Sequence, residues 1–138
     1  MSVHIFSDGA SRGNPGVSAI AYLILRDDGR VLARRGAYVG VRTNNQAEYE
    51  AVIAALEAAA ALHAEAVVCH LDSELVVKQL TGVYRVRNPT LRRLWQRVHA
   101  LTSPFRQVAF RHVAREDQHL VAVDRLANQA LNRVQQNV

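Results

Sequence analysis

Four carboxylates, each at the edge of a predicted element, are the residues of this chain that could do chemistry. Asp8 and Asp72 each follow a strand-like run, whereas Glu48 and Asp124 lie early in predicted helices. Carboxylates that are brought together repel one another, and a hard divalent cation relieves that repulsion. Oxygen-only sites are typical of Mg²⁺ or Mn²⁺, and no Cys/His pair has the spacing of a zinc site. The alternative is that four unrelated acids each cap a separate element.

The helical periodicity around Glu48 predicts that its side chain points into the protein. Four apolar residues share its face at offsets of 4, 7, 8 and 11: Val52, Ala55, Leu56 and Ala59. Asp124 lies within the apolar sequence LVAVDRLANQAL and is also expected on an apolar face. An inward acid is costly unless it is paired or metal-bound, so both residues indicate a site rather than caps. Glu50 and Glu57 fall on the opposite, solvated side and serve as natural controls.

The elements that position these acids are predicted in the order βββαβαβα. The strands are expected at Val3–Ser7, Val17–Arg26, Val31–Tyr38, Ala66–Leu71 and Gln107–Val113. The helices are expected at about Gln46–His63, with capping side chains from Thr43, Asn44 and Asn45, from the Ser73 cap to Leu80, from Pro89 to Leu101, and at about Val121–Gln135. Asp8 is expected to end the first strand, ahead of a glycine-rich loop. This order predicts an α/β fold, a mixed five-stranded sheet with helices on both faces, in one domain spanning residues 1–138.

The basic residues are concentrated in one part of the chain. Residues 75–115 contain nine basic residues and no acid, whereas residues 1–74 carry a net charge of −3. A cationic stretch of this kind indicates a nucleic acid or another polyanion as partner, the alternative being a solvated face. All but one of the 17 basic residues are arginine, which suits bidentate contacts with phosphate.

Composition is consistent with a cytoplasmic protein that does not enter a membrane. The chain has 138 residues, 49% of them hydrophobic, which is enough for one sizeable core. We find no run of eighteen apolar residues and no signal-peptide pattern at the N-terminus. Cys69 is the single cysteine and is expected to be a buried thiol. We expect a monomer.

Four motifs, in this order, resemble type 1 ribonuclease H, the endonucleases that cleave RNA in RNA–DNA hybrids. They are DGASRGNPG from Asp8, TNNQAE from Thr43, LDSELV from Leu71, and HVARE from His112 followed by VDRLAN from Val123. Together they cover nearly the whole chain and imply a ribonuclease H-like fold. Each motif alone would be weak.

The resemblance implies roles for individual residues. The four metal-binding carboxylates of the family correspond to Asp8, Glu48, Asp72 and Asp124. Contacts with the hybrid's minor groove correspond to Asn14, Asn44 and Asn45. Thr43 and Asn88 match positions that grip a DNA-strand phosphate.

The resemblance also implies a two-metal mechanism. Two Mg²⁺ ions, with Mn²⁺ as the alternative, would lie roughly 3.5–4 Å apart and clamp the scissile phosphate. Asp8 would bridge both ions, Glu48 and Asp72 would complete one shell, and Asp124 the other. The products would carry 5′-phosphate and 3′-hydroxyl ends.

Two departures from the family pattern stand out. The basic, tryptophan-rich extension of many members is replaced by the short segment TGVYRVR. Four arginines in and after this segment are expected to supply part of the missing charge: Arg85, Arg87, Arg92 and Arg93. The segment from His112 to Asp124 is about two residues longer than the pattern. His119, expected in a loop, is the candidate for the family's mobile histidine, which assists proton transfer or product release. His112 is expected to be structural.

Two other functions remain open from the sequence. A junction-cleaving or transposase-type nuclease can share the same fold, although Asn44, Asn45 and the GNPG loop favour the hybrid-cleaving branch. A non-catalytic double-strand binding module would be expected to lack at least one carboxylate, whereas all four are present.

Overall fold

A mixed five-stranded sheet in the order β3-β2-β1-β4-β5 forms the centre of the fold. The computed structural model describes residues 1–136. The strands are β1 Ser2–Gly13, β2 Gly16–Arg26, β3 Val31–Arg42, β4 Ala66–Leu71 and β5 Gln107–His112. The helices are α1 Asn44–Ala61, α2 Glu74–Leu80, α3 Pro89–Ala100 and α4 Gln118–Gln136. The five predicted strands, the four predicted helices and the mixed sheet are confirmed, and α2 and α3 together occupy the position of the single α between β4 and β5 in the predicted order. β1 pairs antiparallel with β2 and parallel with β4, and β4 pairs parallel with β5.

Two hydrophobic cores lie on opposite faces of the sheet, which confirms helices on both faces. One core joins α1, α2 and α3 to the sheet and contains the fully buried Tyr49 and Leu56. Cys69 lies in this core, as expected, and burial raises the pKa of its thiol to about 12. The other core lies under α4 and contains Leu120 and Leu131. No helix among residues 1–136 is long and apolar enough to cross a membrane.

The first strand is longer than its sequence predicts. Residues from Val3 to Gly13 all pair with β2, so the glycine-rich segment expected to be a loop continues the strand. Cross-strand pairing with β2 in this hairpin has overridden the weak strand propensity of glycine. The parallel pairing with β4 stops at Phe6 and His70. Asp8 therefore does not end β1 but lies where β1 extends beyond β4.

Side-chain caps fix the starts of the helices that approach the end of the sheet where β1 extends beyond β4. Thr43 and Gln46 form a reciprocal capping box at α1, and Ser73 accepts a hydrogen bond from the Val76 amide at α2. Asn88 accepts from the amides of Thr90 and Leu91 at α3. The caps predicted at Thr43 and Ser73 are confirmed, and they hold the first turns of α1 and α2 at the edge where Asp8 lies.

Candidate functional site

Three of the four predicted carboxylates form one cluster. Asp8, Glu48 and Asp72 each contribute an oxygen, and these atoms lie within 4.8 Å of one another. Asp72 directly follows β4, the parallel neighbour of β1, so the two strands deliver Asp8 and Asp72 to one edge of the sheet. The first turn of α1 brings Glu48 to the same place. The inward orientation predicted for Glu48 is confirmed, because the residue is 7% exposed.

Gly9 allows α1 to rest directly on β1 beside the cluster. A Cβ atom at Gly9 would lie 2.3 Å from the carbonyl carbon of Ala47 and 2.5 Å from the amide nitrogen of Glu48. The contact is therefore one of backbone against backbone, which only glycine permits. The Gly9 amide also donates a hydrogen bond to Glu48 Oε1 at 3.2 Å. The separation of Asp8 and Glu48 is consequently set by the backbone.

The chemistry of this cluster fits a hard cation. Glu48 Oε2 is buried and has no hydrogen-bond partner among residues 1–136. A buried carboxylate oxygen without a donor is costly unless a cation binds it. Three carboxylates, with no cysteine or histidine ligand in the group, provide the oxygen donors that Mg²⁺, Mn²⁺ and Ca²⁺ prefer.

Burial and mutual repulsion make the cluster reluctant to carry its full negative charge. Burial, together with the charges of Asp72 and Asp124, raises the pKa of Asp8 to about 7, although the hydrogen bond with Glu48 opposes the shift. The pKa of Glu48 lies well above its ordinary value because of burial and the adjacent Asp8. Burial also raises the pKa of Asp72, although the charge of Arg115 opposes this. A bound divalent cation would favour the ionised forms of all three.

The predicted inward orientation of Asp124 is wrong. Its side chain is exposed, and it lies outside the group of three carboxylates defined above. The buried face of α4 is formed by Leu120, Val123 and Ala127, so Asp124 falls at the border of that face. Asp124 nevertheless lies close enough for its charge and a side-chain hydrogen bond to raise the pKa of Asp8. Asp124 therefore lies next to the cluster, on its solvent-exposed side.

The two acids expected to be solvated differ from each other. Glu57 is exposed, with its side chain 53% accessible, as expected. Glu50 is half-buried instead, and its carboxylate accepts two hydrogen bonds from Arg42 Nε at 2.9 and 3.0 Å. The prediction for Glu50 missed this because its partner lies at the end of β3, outside the helix. Glu57 is the appropriate control for Glu48.

His119 lies in a helix, which corrects the prediction of a loop. The Asp117 carboxylate accepts hydrogen bonds from the amides of His119 and Leu120 and starts α4 three residues earlier than expected. The His119 imidazole packs on the Phe6 ring with centroids 4.5 Å apart. His112 is exposed at the end of β5, and its Nε2 lies 3.2 Å from the carbonyl oxygen of Asp72. His112 thus contacts the backbone of a cluster residue.

The predicted minor-groove residues lie together beside α1. The Asn44 amide donates a hydrogen bond to Asn14 Oδ1 at 3.1 Å, which joins the β1–β2 hairpin to the helix start. Asn14 and Asn44 are exposed, whereas Asn45 and Thr43 are half-buried. Asn88 is exposed at the start of α3.

The loop between α2 and α3 presents the cationic residues. Arg85 and Arg87 are exposed, and neither has an acid within 4 Å among residues 1–136. Three other cations of the basic stretch are paired with acids outside it: Lys78 with Glu74, Arg97 with Glu57 and Arg115 with Asp72. The loop therefore keeps unpaired positive charge at the surface.

Arg115 lies next to the carboxylate cluster, whereas its sequence position indicated only that it belongs to the basic stretch. Its Nε lies 3.7 Å from Asp72 Oδ2, and its side chain is 87% exposed. The HVARE motif could have indicated this position, because it places Arg115 shortly after the end of β5. Because β5 is the parallel neighbour of β4, residues after these two strands lie side by side.

Comparisons with known proteins agree on one family. The family model described as reverse transcriptase-like matches residues 6–130. The ribonuclease HI of Halobacterium salinarum is 45% identical over 130 residues, which cover 94% of this chain and 64% of that protein. A bifunctional protein of Mycobacterium tuberculosis is 38% identical over 138 residues, covering 99% of this chain and 37% of that protein. The chain thus spans less than two thirds of the length of these relatives.

Solved structures show the same similarity in three dimensions. The crystal structure of RNase H1 from Halobacterium salinarum superposes with a TM-score of 0.93 at 44% identity, covering 96% of this chain and 99% of that one. LC11-RNase H1 in complex with an RNA/DNA hybrid superposes with a TM-score of 0.90 at 35% identity, covering 96% of this chain and 98% of that one.

Proposed function

Because this chain belongs to the ribonuclease HI family, we propose that it is an endonuclease that hydrolyses the RNA strand of RNA–DNA hybrids. The observation that carries the proposal is the cluster of the buried Asp8 and Glu48 with the half-buried Asp72, whose oxygens lie within 4.8 Å of one another. The similar LC11-RNase H1, crystallised with an RNA/DNA hybrid, supports the choice of substrate. The basic residues between Leu75 and Arg115 support a polyanionic partner.

Divalent metal ions, Mg²⁺ first and Mn²⁺ as the alternative, are the proposed cofactors. Asp8, Glu48 and Asp72 would hold them, with Asp124 completing the set from the exposed side. When bound, two such ions supply Lewis acidity that activates a water molecule and stabilises the leaving oxygen. Attack of this water molecule on the phosphorus, with departure of the 3′-oxygen, would leave 5′-phosphate and 3′-hydroxyl ends.

Neighbouring residues of the chain orient the carboxylates that would bind the ions. Gly9 holds one oxygen of Glu48 through its amide, so the orphaned Oε2 is the atom left free to bind an ion. Asp8 is adjacent to Glu48, whose pKa it raises, and it also interacts with the exposed Asp124, whose charge raises the pKa of Asp8. Asp8 would therefore hold the proposed ions together with Glu48 and Asp72. His119 is proposed to assist proton transfer or product release.

Recognition of the two strands is assigned to different parts of the surface. The exposed Asn14 and Asn44, with Asn45, would accept and donate hydrogen bonds at the 2′-hydroxyls that distinguish RNA. The helix cap uses only the side-chain oxygen Oδ1 of Asn88. The two N–H groups of the same side-chain amide would therefore be available to a DNA-strand phosphate. The Thr43 hydroxyl accepts from Gln46 and retains its own proton for the same purpose. Arg85 and Arg87 would add charge beside that strand.

The decisive experiment labels each strand of a hybrid separately and compares it with duplex DNA, duplex RNA and single strands. We expect cleavage of the hybrid's RNA strand in Mg²⁺ and none in EDTA or in Asp8→Asn. Cleavage of branched or duplex DNA instead would support the junction or transposase-type alternative. Hybrid binding without cleavage in Mg²⁺ or Mn²⁺ would support a binding module.

A further inference from the structure

Arg12 connects the β1–β2 hairpin to α4 through amide groups. Its Nη2 donates to Asn132 Oδ1 at 2.7 Å, to Asn128 Oδ1 at 3.3 Å and to the Asn128 carbonyl oxygen at 3.4 Å. Its Nη1 donates to the side-chain oxygen of Gln135. Asn128, Asn132 and Gln135 are spaced by four and three residues, so they lie along one face of α4. A single guanidinium is thus bound by three successive amide side chains.

The two ends of this connection lead to the proposed site. Arg12 lies two residues before Asn14, whose Oδ1 accepts the hydrogen bond from the Asn44 amide. At the other end, Asn128 Nδ2 donates to the carbonyl oxygen of Asp124 at 3.0 Å. Arg12 and Asn128 also belong to two different motifs, DGASRGNPG and VDRLAN. The structure therefore joins the hairpin that carries Asn14 to the helix that carries Asp124.

The choice of amide partners has an electrostatic reason. No carboxylate lies within 4 Å of the Arg12 guanidinium among residues 1–136. Amide oxygens satisfy the donors of the guanidinium without adding negative charge. A carboxylate here would hold the arginine more tightly but would repel the phosphates of a nucleic acid on the Asn14 surface. Neutral partners fix the hairpin and leave the local field positive.

We infer that Arg12 is a positioning residue for nucleic-acid binding, which holds the hairpin on α4 so that Asn14 remains against the start of α1. This inference rests on the proposed function, since it concerns the surface that Asn14 and Asn44 offer to the hybrid. Arg12 acts through Asn14 and is not assigned a contact with the substrate.

The test compares steady-state cleavage of a hybrid by wild type and five variants. Arg12→Ala should raise KM about tenfold, in the range expected for lost charge-assisted hydrogen bonds, with kcat within about twofold of wild type. Asn132→Ala should change KM in the same direction, and the double variant should be no worse than Arg12→Ala, because both remove one contact. Arg12→Lys should recover part of the loss. Gln129→Ala, exposed on the same helix, is the control and should behave as wild type.

Salt dependence separates positioning from direct contact. A phosphate contact made by Arg12 itself would lower the slope of log KM against log salt by about one in Arg12→Ala and leave Asn132→Ala unaffected. That pattern, or an unchanged KM in Arg12→Ala, would overturn the inference. Equal losses of kcat in Arg12→Ala and Gln129→Ala would also overturn it, because they would indicate a general effect on folding.

Hybrid affinity measured in the Asp8→Asn background keeps the two proposals distinguishable. If wild type binds the hybrid but does not cleave it, the proposed function fails while the effect of Arg12→Ala on Kd still tests the inference. If wild type cleaves and Arg12→Ala changes neither KM nor Kd, the inference fails alone. A wild-type chain that neither binds nor cleaves the hybrid overturns both.

Discussion

Removal of metal should make the stability of this protein fall as the pH rises. Burial raises the pKa of Asp8 from its ordinary 3.8 to about 7 in the folded chain. Between these two values the folded state retains a proton that the unfolded state has lost. The free energy of unfolding therefore decreases as the pH rises through this window and levels off above pH 7. Glu48, whose pKa is also raised, acts in the same direction.

The size of the effect follows from the pKa difference. One pKa unit corresponds to about 1.36 kcal/mol, so the change from 3.8 to about 7 sets an upper limit of about 4 kcal/mol for Asp8. For a domain of this length, that limit is a decrease in Tm on the order of 10 °C. A divalent cation favours the ionised carboxylates and should restore most of the loss at pH 8.

The assay is thermal unfolding of wild type and Asp8→Asn in EDTA from pH 4.5 to 8. The pKa of His70 is lowered to about 4, chiefly by burial, so His70 alone would make stability rise from pH 4 to about 6.5. Since both proteins contain His70, the Tm of wild type minus that of Asp8→Asn isolates the carboxylate. This difference should become more negative up to pH 7. A difference that is flat or rises with pH in EDTA would refute the electrostatic argument, and so would an equal response to Mg²⁺ in both proteins.

Three further outcomes test the assignment of individual residues. Glu48→Gln should abolish cleavage with hybrid binding largely intact, whereas Glu57→Gln should remain near wild type; the reverse result would contradict the assignment of the helix faces. Alanine at both Arg85 and Arg87 should raise KM with little change in kcat and should flatten the salt dependence, and an unchanged slope would show that these side chains only face solvent. His119→Ala should lower kcat by about ten- to a hundredfold with hybrid affinity unchanged, and full activity from pH 6 to 9 would remove this imidazole from the proposed mechanism.

Local sequence patterns correctly predicted the features that are determined by residues close together in the same helix. The spacing of Glu48 with the apolar residues of α1 fixed its inward face, and the capping side chains of Thr43 and Ser73 placed the starts of two helices. Features that depend on a partner in another secondary-structure element were not predictable in this way. β1 continues beyond Asp8 because β2 pairs with it, and Glu50 is half-buried because Arg42 reaches it from β3. Asp124 is exposed because the packing of α4 uses Val123 and Ala127.

The contact of Gly9 with Ala47 gives α1 a pivot point at the end of the helix where Glu48 lies. The helix rises about 1.5 Å per residue, so a small tilt about this contact displaces Ala59 far more than it displaces Glu48. We therefore expect substitutions that enlarge or shrink the core near Ala59 to displace mainly the distal end of α1. The spacing of the three acids should then change little when residues in that part of the core vary.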